Sequence, residues 1–123
     1  ALIFGNGGSS VAIKFALHEL GISYKTVSRK VNAELNYADL DEALIKEFKI
    51  LINTTPLGTF PNIETCIDIP YEGIGPNHVC HDLVYNPSES LFLQKAKKQG
   101  ATIKNGFEML EIQADKSWEI WNK

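Results

Sequence analysis

An α/β fold, with a doubly wound and mainly parallel sheet carrying helices on both faces, is what these 123 residues predict. Three observations carry that expectation. A short apolar run without polar alternation, the mark of a strand covered on both faces, stands at residues 2–4, and further strands are read at the apolar residues 49–53 and at 78–84. Amphipathic stretches of helical period lie between them. Gly5, Gly7 and Gly8 follow the first run at once. A glycine turn between a buried strand and a helix is where a pyrophosphate can meet free N–H groups and the positive end of a helix dipole. The expected arrangement is Rossmann-like, with one domain spanning residues 1–123.

Leu2, Ile3 and Phe4 form the first strand. Gly5, Asn6, Gly7 and Gly8 make the turn, and Ser9 and Ser10 suit the helix start, where either hydroxyl could cap it or bond an anion. Ser10 stands where the strict G-x-G-x-x-G pattern has its last glycine. Over residues 10–20, Ile13, Ala16, Leu17 and Leu20 share one helical face, with Lys14 and His18 opposite and Gly21 as the stop. Residues 24–28 read as the second strand. The crossover after it is too short for a full helix, so residues 36–40 are expected as a brief strand and Asp41 as the cap of a short helix through Phe48.

Residues 49–53 are the next strand, broken by Thr54-Thr55-Pro56-Leu57-Gly58. Residues 59–77 form a long loop with three prolines and two glycines, and loops of that length are usually functional or carry a short element. After the strand at 78–84, Ser88 is expected to cap a helix that buries Phe92, Leu93 and Ala96 and ends at Gly100. Residues 101–104 make a last strand, and Asn105-Gly106 leads into a final helix over 107–121.

A net charge of −3 argues against general nucleic-acid binding, since no basic surplus neutralises a phosphate backbone. No apolar run reaches the roughly 18 residues needed to cross a bilayer, and no secretory leader is expected. Cys66 and Cys80 lack C-x-x-C spacing, which suits two reduced thiols in a cytoplasm rather than a metal or redox site. The chain opens in a core strand without a Met, as expected of a piece cut from something longer.

Ligands of such sheets bind beyond the carboxyl ends of the strands. At the end of the second strand stands Ser28-Arg29-Lys30, where an acid would meet a free ribose 2′-hydroxyl. A guanidinium there pairs with a 2′-phosphate instead, which favours NADP over NAD. Tyr85 sits on the same rim. In the last helix Met109, Leu110, Ala114, Trp118, Ile120 and Trp121 cover one arc and Glu111, Asp115 and Glu119 the other. Gln113 lies inside the apolar arc, where its amide bonds backbone or faces a ligand. His81 and Asp82, adjacent on a strand, point to opposite faces, and His78 is expected to be exposed. No residue forms a nucleophile–base pair or a metal cluster, so the expectation is no catalytic residue and no metal ligand in this chain.

Four blocks in order resemble the C-terminal NADP-binding domain of shikimate dehydrogenases: Gly5-Asn6-Gly7-Gly8-Ser9-Ser10, residues 53–58, Asp82-Leu83-Val84-Tyr85-Asn86-Pro87, and residues 105–110 with Gln113 and Ala114. The resemblance implies reversible hydride transfer between NADPH and the C3 carbonyl of 3-dehydroshikimate, giving shikimate for aromatic amino-acid biosynthesis. It places Gly7, Gly8 and Ser9 on the pyrophosphate, and Ser28 and Arg29 on the ribose phosphate with Lys30 beside them. Asn53, Thr54 and Thr55 fall along the cofactor, Gly106 and Met109 near the nicotinamide, and Tyr85 and Gln113 on the substrate. It also implies an N-terminal domain of the same polypeptide, absent here, that carries the family's catalytic Lys and Asp; this domain alone is expected to be inactive. Where the family usually has Asn-Arg-Thr and a helix with a second basic residue, this chain has Ser28-Arg29-Lys30 and almost no helix. A quinate or dual quinate/shikimate dehydrogenase, and a stand-alone nucleotide-binding module, are the competing readings.

Overall fold

The computed structural model describes residues 1–5, 7–29, 34–84 and 86–105. The expected final helix, with Gly106, Met109, Gln113, Trp118 and Trp121, lies outside the described residues, as do Asn6, Lys30 and Tyr85. The elements are β1 (Leu2–Phe4), α1 (Gly8–Glu19), β2 (Lys25–Val27), α2 (Glu42–Glu47), β3 (Ile50–Asn53), β4 (Val79–Asp82), α3 (Leu91–Lys98) and β5 (Thr102–Lys104). The strands form one sheet in the order β2-β1-β3-β4-β5, every neighbouring pair parallel. Chain order reverses between β1 and β3, and a crevice opens at such a switch point beyond the strands' carboxyl ends.

Successive strand residues face opposite sides, which sorts the core into two parts. Ile3 and Ile52 pack with Ile13 and Leu17 of α1 on one face. Leu2, Phe4, Leu51 and Cys80 pack with Ile45 of α2 and with Phe92, Leu93 and Ala96 of α3 on the other. Helices therefore cover both faces. Burying each such side chain contributes about 1.5–3 kcal/mol. Among the described residues no helix is long and apolar enough to cross a membrane.

Several local expectations are corrected. α1 begins at Gly8, with Gly7 as its N-cap and no capping side chain. Ser10 is fully buried, and its Oγ donates to the Gly7 carbonyl at 2.7 Å, so its hydroxyl is turned away from any anion. Gly21, at φ +73°, does close the helix, because only glycine enters the left-handed region freely. Residues 36–40 form no strand. Tyr37–Asp39 is a 3₁₀ turn in which the Asp39 carboxylate accepts the Asn36 N–H at 2.8 Å, a reciprocal cap that a strand would have to break.

Among the described residues the sheet reaches past β2 through an isolated bridge between Val27 and Leu35. There the Leu35 N–H donates to the Thr26 carbonyl, the Ser28 N–H donates to the Leu35 carbonyl, and the Glu34 carboxylate accepts from the Thr26 N–H at 3.1 Å and hydroxyl at 3.2 Å. Asp41 caps α2 as expected, accepting the Leu44 N–H at 2.8 Å.

The cap of α3 is Ser90, not Ser88, because Ser90 has the extended backbone a cap requires and its hydroxyl faces the Leu93 N–H. His78 is buried rather than exposed. Its Nδ1 accepts the Gly75 N–H at 3.0 Å, so Nε2 carries the hydrogen and donates to the Ile45 carbonyl at 2.9 Å. The ring ties α2 to the start of β4.

Candidate functional site

The carboxyl ends of β1, β3 and β4 meet at the switch point. At β1, Gly5 takes φ +105° and its N–H donates to the Val27 carbonyl at 2.9 Å. A Cβ at Gly5 would stand 2.6 Å from Thr54 Oγ1, so both backbone and space demand glycine there. A Cβ at Gly7 or Gly8 would meet nothing within 4 Å. The approach to the N-terminus of α1 is open, and exposed Ser9 stands on it. An open helix start presenting N–H groups fits a phosphate group.

At β3, Thr54 seals against β1: its N–H and its hydroxyl both donate to the Phe4 carbonyl, at 2.9 and 2.6 Å. Asn53 is fully buried. Its Oδ1 accepts from the Thr55 N–H at 3.0 Å and the Thr55 hydroxyl at 2.6 Å, which bends the chain directly after the strand. Its Nδ2 donates to Asp82 Oδ1 at 3.0 Å.

Asp82, at the end of β4, is also fully buried and accepts from the Val84 N–H at 3.0 Å and from the Ser90 hydroxyl. Burial pushes its carboxyl up to about 6, against the opposing pull of the bonds from Ser90, Val84 and Asn53. His81 lies in the row of Ile3 and Ile52, on the α1 face, while Asp82 lies in the row of Phe4 and Asn53. Burial first, and then the Lys104 ammonium, holds the His81 ring down at about 4.

Two clefts flank the turn after β3. One, of about 470 Å³, is lined by Ser9, Thr54, Thr59, Leu83, Val84 and Asn86. The other, of about 330 Å³, is lined by Gly5, Ser28, Arg29, Tyr37 and Leu57. Thr55 and Pro56 line both, so this turn is the ridge between them. Tyr37 stacks against Phe4 with ring centroids 6.1 Å apart. Burial raises its phenol above the ordinary value while the Arg29 guanidinium opposes that rise.

Of the residues expected at a site, Gly5, Ser9, Ser28, Arg29, Thr54 and Thr55 line these clefts, while Gly7 and Gly8 start the helix between them. Asn53 lies beneath the ridge and shapes it rather than lining it. Tyr37, Pro56, Leu57, Thr59, Leu83, Val84 and Asn86 line the clefts too without having been expected as site residues. The last three lie in the rim loop after β4, which the parallel sheet itself could have flagged, whereas Tyr37 enters by a turn that propensity does not announce.

No family model matches the chain. A shikimate dehydrogenase (NADP(+)) of Methanococcus maripaludis is 43% identical over 135 aligned positions, which take in 98% of this chain and 48% of that protein. Along nearly its whole length the chain is similar to shikimate dehydrogenases. It spans about half the length of the curated relatives it matches. The alignment with that dehydrogenase, 135 positions against 123 residues, shows that the relative carries segments this chain lacks. Among solved structures, a shikimate dehydrogenase in complex with NADP+ superposes with a TM-score of 0.75 at 28% identity, over 98% of this chain and 47% of its own. The Thermus thermophilus shikimate 5-dehydrogenase in complex with NADP(H) and shikimate gives 0.76 at 26% identity, over 98% and 48%.

Proposed function

We propose that this chain binds NADP and is the cofactor-binding half of a shikimate dehydrogenase, the whole enzyme interconverting 3-dehydroshikimate and shikimate with NADPH or NADP+ for aromatic amino-acid biosynthesis. The observation that supports the reading is the pair of clefts on either side of Thr55-Pro56, one lined by Ser9 of α1 and the other by Gly5 of the turn before it. A dinucleotide is two nucleosides linked through a pyrophosphate, which two clefts beside an open helix start would accommodate. Gly7 and Gly8 would offer N–H groups to the pyrophosphate beside Ser9. The 330 Å³ cleft would take the adenosine, with Ser28 and Arg29 on the ribose phosphate and Lys30 close by. The 470 Å³ cleft would take the nicotinamide side.

The bound cofactor supplies or accepts a hydride. What this chain's residues do is hold it: Thr54 and Thr55 fix the ridge, and Asn53 fixes Thr55. Asn6 and Gly106 with Met109 complete the cofactor site in this reading, and Tyr85 and Gln113 reach the substrate. The groups that move protons would come from an N-terminal domain of the same polypeptide, and the free thiols Cys66 and Cys80 suit the cytoplasm.

A fluorescence titration of the chain with NADPH and NADH tests the reading. NADPH is expected to bind more tightly. Arg29→Ala is expected to weaken NADPH by about 1.5–3 kcal/mol, roughly 10- to 100-fold, and to leave NADH nearly unchanged. Equal affinity for the two nucleotides, unchanged by Arg29→Ala, would overturn the phosphate assignment.

A further inference from the structure

Three loops frame the two clefts, and two of them are joined beneath the surface by one side chain. Asp82 receives three donors from three places: Asn53 Nδ2 at the end of β3, the Val84 N–H in the loop after β4, and the Ser90 hydroxyl at the cap of α3. Asn53 in turn bends the ridge through Thr55, and Ser90 starts α3. The main chain reinforces the junction, since the Leu83 N–H donates to the Asn53 carbonyl at 3.1 Å and the Phe60 N–H to the Asn86 carbonyl at 2.9 Å. Thr54 and Thr55 line one wall of the 470 Å³ cleft, and Leu83, Val84 and Asn86 the other. Asp82 itself is fully buried and touches neither cleft.

A carboxylate taken out of water costs stability unless its position is useful or fully bonded. The sequence places this one where an apolar residue would complete the strand. We propose that Asp82 is a positioning residue for the nicotinamide side of the site, clamping the ridge at Thr55 to the opposite wall at Val84 so that the larger cleft keeps its width. The proposal rests on the dinucleotide reading above, but only on its nicotinamide half. The smaller cleft shares the Thr55-Pro56 ridge, but its remaining lining, Gly5, Ser28, Arg29, Tyr37 and Leu57, does not bond Asp82, and the Val84 wall belongs to the larger cleft alone. Asp82 therefore acts mainly on the half of the ligand in the larger cleft, where it holds both walls, and less on the other half, where it holds only the shared ridge; a loss of folding would act on both alike.

The test uses two probes on the same chain. NADPH spans both clefts, whereas adenosine 2′,5′-bisphosphate ends at the pyrophosphate and reaches only the smaller one. Asp82→Ala strands the Asn53, Val84 and Ser90 donors and is expected to weaken NADPH by about tenfold or more. The bisphosphate should change by less than about twofold, as for a distant site. Asp82→Asn keeps an acceptor for Asn53 and Val84, and NADPH affinity should recover to within about threefold of the original chain.

Equal weakening of both probes by Asp82→Ala, or no change in either, overturns the positioning role. Amide exchange without ligand checks the clamp directly. Thr55 and Val84 must both exchange faster in Asp82→Ala, and faster exchange at Val84 alone overturns the coupling. Should Asp82→Ala fail to fold, Ser90→Ala removes one of the three donors and must reproduce the same split between the probes at smaller size. If the unaltered chain binds neither probe, the nucleotide reading fails, and the exchange experiment still decides the clamp.

Discussion

The glycine turn after β1 and the polar junction after β3 and β4 sit side by side at the ends of adjacent strands, and they are built in opposite ways. The turn is open: Gly7 and Gly8 face empty space, and no side chain caps the helix. The junction is closed: Asn53, Asp82 and Ser90 are fully buried and bonded to one another. One region keeps its backbone free for a ligand, and the other spends side chains to hold the first region's neighbours still. A site that must admit an anion without collapsing needs both.

The contrast is broken most severely at Gly5, the hinge between the two regions. Gly5→Ala adds a Cβ 2.6 Å from Thr54 Oγ1 at a φ of +105°, and Thr54 cannot yield without losing its bond to Phe4. A loss of about 3–4 kcal/mol is expected in urea unfolding. Gly7→Ala sharpens the comparison, because its Cβ meets nothing within 4 Å. It should cost less than about 1 kcal/mol of stability, yet weaken NADPH by crowding the anion's approach.

Next in size is a pH effect with two opposing parts. Asp82 is raised from 3.8 to about 6 in the folded chain, so its contribution to stability is complete below 3.8 and is lost as pH rises through 6. His81 is lowered from 6.5 to about 4, so its contribution is complete above 6.5 and is lost as pH falls through 4. Each displacement corresponds to roughly 3 kcal/mol. Between pH 4 and 6 the two slopes cancel. In Asp82→Asn only the His81 slope remains, and the stability difference between variant and original should shift in the variant's favour by about 3 kcal/mol from pH 4 to pH 6.5.

Among the described residues, the ionisable groups near this pair include Tyr71, held above the ordinary phenol range chiefly by burial and least by the Asp82 charge, Cys80, pushed up to about 12 by burial, and Lys104, whose ammonium lowers His81. Tyr71 and Cys80 are both displaced upward, away from the range between pH 4 and 6, so an unchanged difference between the two curves would mean that Asp82 is not held protonated by its surroundings. Smallest is Ser90→Ala, which removes the α3 cap and one donor to Asp82 and should cost about 1–2 kcal/mol in thermal or urea unfolding.

Much of the open region was legible in the sequence, because its information is local. Three glycines within four residues, an apolar run before them and an amphipathic run after them specify strand, turn and helix without reference to distant residues. Even there the helix start was displaced, since Ser10 looked like a cap but packs inward and bonds back to Gly7. The closed region was not legible. Asn53 and Asp82 are 29 residues apart and meet only because β3 and β4 pair in register. His78 read as exposed because its two partners, Gly75 and Ile45, come from a loop and a helix end that only the folded chain brings together. An acid between His81 and Leu83 at the end of a strand was the available signal for Asp82.

The shortened crossover after β2 has a consequence beyond the site. An outermost parallel strand normally offers a free row of N–H and C=O groups to any other chain. Here the Thr26 N–H is taken by the Glu34 carboxylate, the Thr26 carbonyl by Leu35 and the Ser28 N–H by the Leu35 carbonyl. A single bridging residue and one carboxylate thus occupy three backbone groups on this margin of the sheet that a strand from a second molecule would otherwise pair with.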